Sequence, residues 1–192
     1  MTTNERFGSA RSAHVDAIIE PIARAIATDR ATTLAATLAD LGASGAFDEL
    51  SLFAAPGETR YSRARLWADP AGHFAVVCMT WLPGQGTPVH DHAGRWGAEL
   101  VVHGTMRETS YRMSERDARG HVRLVRERET PIRAAQIGVV LPTVDVHELH
   151  NDGPDLAHTV HVYSSLVDAC TMFTPGGDGW WTLAPVSLTY DA

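Results

Sequence analysis

Pro88-Val89-His90-Asp91-His92 is the stretch from which the rest of the chain is read. In extended backbone alternate side chains share a face, so His90 and His92 reach one point together while Asp91 turns the other way. Such a pair is half of a metal site. A third imidazole from a distant strand completes one face of a coordination sphere and leaves positions open for substrate and dioxygen. Val146-His147 supplies that imidazole, and Thr159-Val160-His161-Val162-Tyr163 adds a second alternating polar stretch.

Working outward, the sequence predicts one β-rich body preceded by helices. Val15, Ile18, Ile19, Ile22 and Ile26 recur at helical spacing, with Pro21 either kinking that helix or starting its main part. Leu34, Leu38 and Leu41 form a second stripe that Gly42 can terminate. From Tyr61 onward the pattern changes to short β-rich runs at 73–82, 98–104, 121–127, 136–142 and 157–164, separated by Gly, Pro and Asn turn signals. The tail from Gly176 to Tyr190 reads as a loop and a possible edge strand. The expected class is mainly β, a jelly-roll-like barrel with short N-terminal helices. Residues 1–50 are the helical segment packed on the barrel, and residues 51–192 form the barrel domain, one folding unit.

Composition narrows the functions. The chain has 192 residues, 44 % of them hydrophobic, which suffices for one sizeable core. A net charge of −7, with every one of the 16 basic residues an arginine and these scattered, argues against a nucleic-acid partner. No apolar stretch approaches membrane-spanning length and no leader pattern opens the chain, so a cytoplasmic protein is expected. Of the two cysteines, Cys78 lies inside an apolar run and reads as a buried thiol, in keeping with a reducing compartment. The sequence leaves the oligomeric state open.

Gly84, five residues, then His90-x-His92 resembles the first motif of the cupins; Pro142, four residues, His147, three residues, Asn151 resembles the second, with Val144 where glycine is usual. The more particular resemblance is to the cysteine dioxygenase family of thiol dioxygenases, from about Tyr61 to Phe173. It is carried by YSRARL (61–66), WLPGQGTPVHDHAG (81–94), GTMRET (104–109), VHELHN (146–151) and TVHVYSSLVDAC (159–170) in that order. The resemblance implies Fe(II) held by His90, His92 and His147, a small thiol and O2 as substrates, and a cupin-type barrel. Without a carboxylate ligand the metal keeps its dipositive charge and favours a thiolate in an open position. His150 competes with His147, but three positions apart on a strand means opposite faces; Asn151 falls on the His147 face and matches the motif, so His150 is read as a surface residue.

Thr159, His161 and Tyr163 share one strand face, a geometry that permits a hydroxyl–imidazole–phenol relay. The resemblance implies that His161 orients Tyr163 beside the metal, with threonine in place of the family's serine. It also implies that Arg63 clamps a substrate carboxylate, with Arg65 two residues along as the competing choice, and that Tyr61 and Trp96 border the substrate. Trp96 serves equally well as barrel packing. Gly97 stands where animal members carry the cysteine crosslinked to the tyrosine equivalent to Tyr163, so no such crosslink forms here. Arg95 has no clear counterpart, and with Trp96 it leaves a mercapto-dicarboxylate open as substrate beside cysteine. Glu99 is read as a structural or rim residue. The expected activity is addition of both atoms of O2 to the sulfur of a small thiol carboxylate, giving a sulfinic acid. The alternatives are a cupin dioxygenase or isomerase on a non-thiol substrate and a non-catalytic cupin that binds a small ligand.

Overall fold

A computed structural model describes residues 13–28, 32–140 and 146–191. Helix α1 (Ala13–Thr28) buries Ile18, Ile19, Ile22, Ala25 and Ile26 along one side, the stripe that three- and four-residue spacing generates. Pro21 does not divide it, because the ring costs one backbone bond to Ala17 while isoleucines on both sides of it are anchored in the core. Helix α2 (Thr32–Ala43) ends one turn later than the sequence suggested. Gly42 lies inside the helix, and the left-handed residue that stops it is Gly45, with φ of 74°. There Gly45 N–H donates to Gly42 O at 3.2 Å and Ala46 N–H to Leu41 O at 3.1 Å, the paired bonds of a glycine stop.

Among the described residues ten strands follow: β1 (Ser62–Ala68), β2 (Ala75–Trp81), β3 (Gly97–His103), β4 (Thr105–Arg116), β5 (Val122–Arg133), β6 (Ile137–Val140), β7 (Val146–His150), β8 (Ala157–Tyr163), β9 (Ala169–Pro175) and β10 (Trp181–Ser187). They form two five-stranded sheets, ordered β1-β2-β8-β3-β6 and β7-β4-β5-β10-β9. All the pairings between named strands are antiparallel. The fold is mainly β and jelly-roll-like, two sheets rather than one closed cylinder of hydrogen bonds.

The first sheet is buried on both faces, and its strand β2 reads as a nearly unbroken hydrophobic run rather than an alternating one. Val76, Cys78, Ala98, Leu100, Val160 and Val162 point outward into a cluster shared with Ile18, Ile22, Leu34, Leu38 and Phe47. Val77, Met79, Trp81 and Val101 point inward and meet Met106, Ile132 and Leu149 of the second sheet. Each fully buried side chain of this size contributes about 1.5–3 kcal/mol, so the helices are a structural half of the first sheet's core. The tail strand is not an edge: β10 lies between β5 and β9, pairing with β9 from Trp181↔Pro175 to Ser187↔Ala169. Pro142 and Val144, from the second cupin-like motif, lie outside the described residues.

Candidate metal centre and pocket

The His90–His92 segment is not a regular strand. It is an extended strip held between β7 and β9 by His90 N–H to His147 O (2.9 Å), His147 N–H to His90 O (3.0 Å), Asp91 N–H to Thr171 O (3.0 Å) and Phe173 N–H to Val89 O (2.9 Å). Alternation survives because the backbone is still extended. Asp91 turns away from the histidines, and its Oδ1 accepts the N–H groups of Thr171 (2.8 Å) and Ala93 (3.0 Å).

His90, His92 and His147 converge, with one candidate ligand nitrogen from each lying within 4.8 Å of the others. Ring centroids are 4.9 Å apart for His90–His92 and His90–His147 and 5.0 Å for His92–His147. Their outer partners set the tautomers. His90 Nδ1 lies 3.0 Å from the Pro88 carbonyl oxygen, and His147 Nδ1 lies 3.2 Å from a Glu108 carboxylate oxygen. Both partners only accept, so each Nδ1 carries the proton and each Nε2 keeps its lone pair, the state a metal requires. Burial, with the neighbouring His147, lowers the His90 pKa to about 4. Burial and the two neighbouring imidazoles lower His92 well below the usual histidine value. His90 and His92 are thus neutral at ordinary pH, and the donor set fits a divalent ion that accepts nitrogen ligands.

His150 takes no part. It is about 29 % exposed, its Nε2 lies 3.4 Å from Glu148 and its ring lies against Gly86, outside the cluster. Asn151 is fully buried and braces a turn: its Nδ2 donates to Trp81 O (3.0 Å) and Asp155 O (2.9 Å), and its Oδ1 accepts Gly153 N–H (3.0 Å).

Beside the histidines, Thr159, His161 and Tyr163 form a buried chain along β8. Trp81 Nε1 donates to Thr159 Oγ1 (2.9 Å), Thr159 Oγ1 is 2.8 Å from His161 Nε2, and His161 Nδ1 is 3.0 Å from the Tyr163 oxygen. An indole N–H can only donate, so Thr159 accepts it and has its own hydrogen for His161 Nε2. His161 then carries its proton on Nδ1, donates it to the Tyr163 oxygen, and leaves the phenol hydrogen for the pocket. Burial, and next the Glu99 carboxylate, raise the Tyr163 pKa well above that of a free phenol, so Tyr163 remains a donor.

Glu99 is a correction to the sequence reading. It is not a rim residue: it is buried, lines the pocket and lies 3.1 Å from His161 Nδ1. Burial opposes its ionisation, yet His161, within hydrogen-bond reach, outweighs burial and holds the carboxyl well below the usual carboxylate range. Trp96 is the second correction. It packs with the apolar cluster on the helix side of the first sheet and does not line the pocket. The register carried the signal for both, since Gly97 pairs with Tyr163 and Glu99 with His161. Position 96 therefore faces outward and position 99 inward.

Arg63 is 4 % exposed and lines the pocket, whereas Arg65 is exposed and does not. Tyr61 lines it too, stacked on Trp81 with centroids 4.1 Å apart. The guanidinium of Arg63 donates to Val167 O (3.1 Å) and Thr189 O (3.2 Å). Among the described residues no carboxylate lies within ion-pair distance of it, as Asp191 binds its backbone N–H instead. Cys170 lines the same pocket as a free thiol, and Cys78 is buried in the outer cluster.

Gly97 is a close approach rather than a turn. A Cβ there would lie 2.8 Å from Tyr163 Cδ1 and 3.2 Å from Val162 O. Gly97→Ala is expected to destabilise the fold by about 1–3 kcal/mol through overpacking against the Tyr163 ring and the Val162 carbonyl. A denaturant midpoint equal to wild type would show that the ring yields freely.

The family model for Cysteine dioxygenase type I matches residues 8–175. The chain belongs to the cysteine dioxygenase type I family. Among curated proteins it is similar to Cysteine dioxygenase type 1 of Rattus norvegicus and of Homo sapiens, each 24 % identical over 126 residues, 65 % of this chain and 61 % of the relative. The chain thus matches about three fifths of the length of these relatives. Among solved structures, an uncharacterized conserved protein with a double-stranded beta-helix domain from Klebsiella pneumoniae is 20 % identical, with a TM-score of 0.46, covering 71 % of this chain and 94 % of that one.

Proposed function

We propose that this member of the family is a mononuclear non-haem iron thiol dioxygenase that adds both atoms of O2 to the sulfur of cysteine or a related mercapto acid, giving a sulfinic acid. The observation that carries the reading is the content of one pocket: a three-histidine cluster with no carboxylate in its donor set, and a buried guanidinium with no carboxylate partner among the described residues. A desolvated guanidinium held by neutral groups, two carbonyls and an aromatic ring, is costly until an anion arrives, and its planar fork suits a carboxylate. A thiol carboxylate satisfies both ends, sulfur towards the histidines and carboxylate towards Arg63.

In this reading His90, His92 and His147 hold Fe(II), with the Glu108 carboxylate and the Pro88 carbonyl orienting two of them. The iron would supply the electronic route by which dioxygen reacts with a thiolate. The chain's own residues position and donate. Arg63 fixes the carboxylate, Tyr61 walls the pocket against Trp81, and Thr159 sets the tautomer of His161. His161 turns the Tyr163 hydrogen towards the bound substrate, and Glu99 steadies the His161 N–H. The helices and the barrel act as one folding unit, supported by the apolar cluster they share. A cytoplasmic setting is supported by two free cysteines.

The direct test is oxygen consumption by the iron-loaded protein with cysteine, 3-mercaptopropionate, cysteamine and mercaptosuccinate, with the product identified by mass. Sulfinate formation in step with oxygen uptake is the expected result, and no uptake with any thiol overturns the reading. Tyr163→Phe is expected to keep its metal and lower turnover by about 10²-fold, the usual contribution of a positioned proton donor. Unchanged turnover with full coupling of oxygen to sulfinate would remove Tyr163 from the chemistry.

A further inference from the structure

Residues beyond the family match, at the far C-terminal end of the described chain, reach back to the pocket. Leu188 lines it, and Leu188 N–H donates to Asp168 O at 2.8 Å. The Tyr190 ring lies over the Arg63 guanidinium, 4.7 Å from Cζ to the ring centroid, and the Tyr190 hydroxyl donates to Val167 O at 2.8 Å. Asp191 ties the segment to β1. It accepts Arg63 N–H on Oδ2 (2.8 Å), returns its own N–H to Arg63 O (2.8 Å), and pairs through Oδ1 with Arg60 (2.5 Å).

These contacts converge on one side chain. Val167 O accepts from both Tyr190 and Arg63, and Thr189 O accepts the other end of the fork. Of the five N–H groups of a guanidinium, two are held by these carbonyls, which fixes the plane and leaves N–H groups over for an anion. The ring above that plane holds the charge by a cation–π contact and replaces water on one face.

We propose that Tyr190, latched by Asp191, is a positioning residue that presents Arg63 to the substrate and so sets the preference for carboxylate-bearing thiols. The inference rests on the proposed function, since it assumes that Arg63 meets a carboxylate. Arg63 alone would be a flexible cation at a sheet edge; with the strap it is a fixed fork. Preorganisation of this kind lowers the ordering cost of binding without adding a contact to the ligand.

Anaerobic calorimetric titration of the metal-loaded protein with 3-mercaptopropionate and with cysteamine separates the roles. Tyr190→Ala is expected to weaken 3-mercaptopropionate binding about tenfold, the scale of a desolvated cation–π contact, and to leave cysteamine within about twofold. Tyr190→Phe keeps the ring and should lose about threefold on the carboxylated ligand only. Asp191→Asn tests the latch without touching the ring and should fall between the two. Equal weakening of both ligands, or none, with the wild-type preference intact, overturns the role of the strap. A wild-type protein that binds both ligands equally would instead remove Arg63 as the anchor, and the proposal with it.

Discussion

His147→Ala is expected to abolish metal binding and, with it, turnover. Two histidines on one extended strip cannot by themselves hold a divalent ion against water, because the third donor closes the face and is already aligned by Glu108 at 3.2 Å. Loss of a ligand typically exceeds the 10–100-fold that loss of an orienting partner costs, so metal content should drop below about a tenth of an equivalent after desalting. His150→Ala is the control: its ring lies against Gly86, outside the cluster, and the variant should retain a full complement of metal. Metal analysis of the two purified variants decides the matter. Full occupancy in His147→Ala with loss in His150→Ala would reverse the assignment.

Arg63→Ala should produce the largest change in selectivity. Removing one partner of a buried, charge-assisted pair leaves the other desolvated, at a cost of about 3–5 kcal/mol, or about 10²–10⁴-fold in kcat/KM for cysteine or 3-mercaptopropionate. Cysteamine has no carboxylate, and its turnover should change far less. Arg63→Gln keeps hydrogen-bonding capacity but not the charge, and should lie between. The informative quantity is the ratio of activities on the two kinds of thiol. An equal fall on both would make Arg63 structural, and a selective fall in Arg65→Ala would move the anchor to the exposed neighbour.

Alternation made much of this site legible. His90 and His92 share a face because any extended backbone alternates, and that held even though their segment is a strip bridged to β7 and β9 rather than a strand. Thr159, His161 and Tyr163 line up for the same reason. What alternation does not say is which face looks inward. Trp96 was left open between the pocket and barrel packing on that account, and Glu99 between a structural and a rim role, although Glu99 pairs with His161. Burial of both faces of the first sheet removed the polar–apolar contrast that would have separated them. The N-terminal helices were legible from their isoleucine and leucine spacing, but the stop of α2 was not. Gly42 and Gly45 are both available there, and only the Leu41 and Gly42 carbonyl bonds distinguish them. The strands β4 and β9 carry too little apolar alternation to stand out, and β10 was mistaken for an edge because its neighbour β9 went unread.

The strip that bears His90 and His92 has a consequence for the order in which the molecule assembles. The backbone bonds that fix its place run to His147 on one side and Thr171 and Phe173 on the other, all distant in the chain, while its local bonds, such as Ala93 N–H to Asp91 Oδ1, only shape the turn that follows. Loops of this length are slow to close, and the pairs they join form late. The three imidazoles come together only after both flanking strands have docked. An ion is therefore expected to enter a site the polypeptide has already shaped, so that protein refolded without metal should take up a full equivalent afterwards.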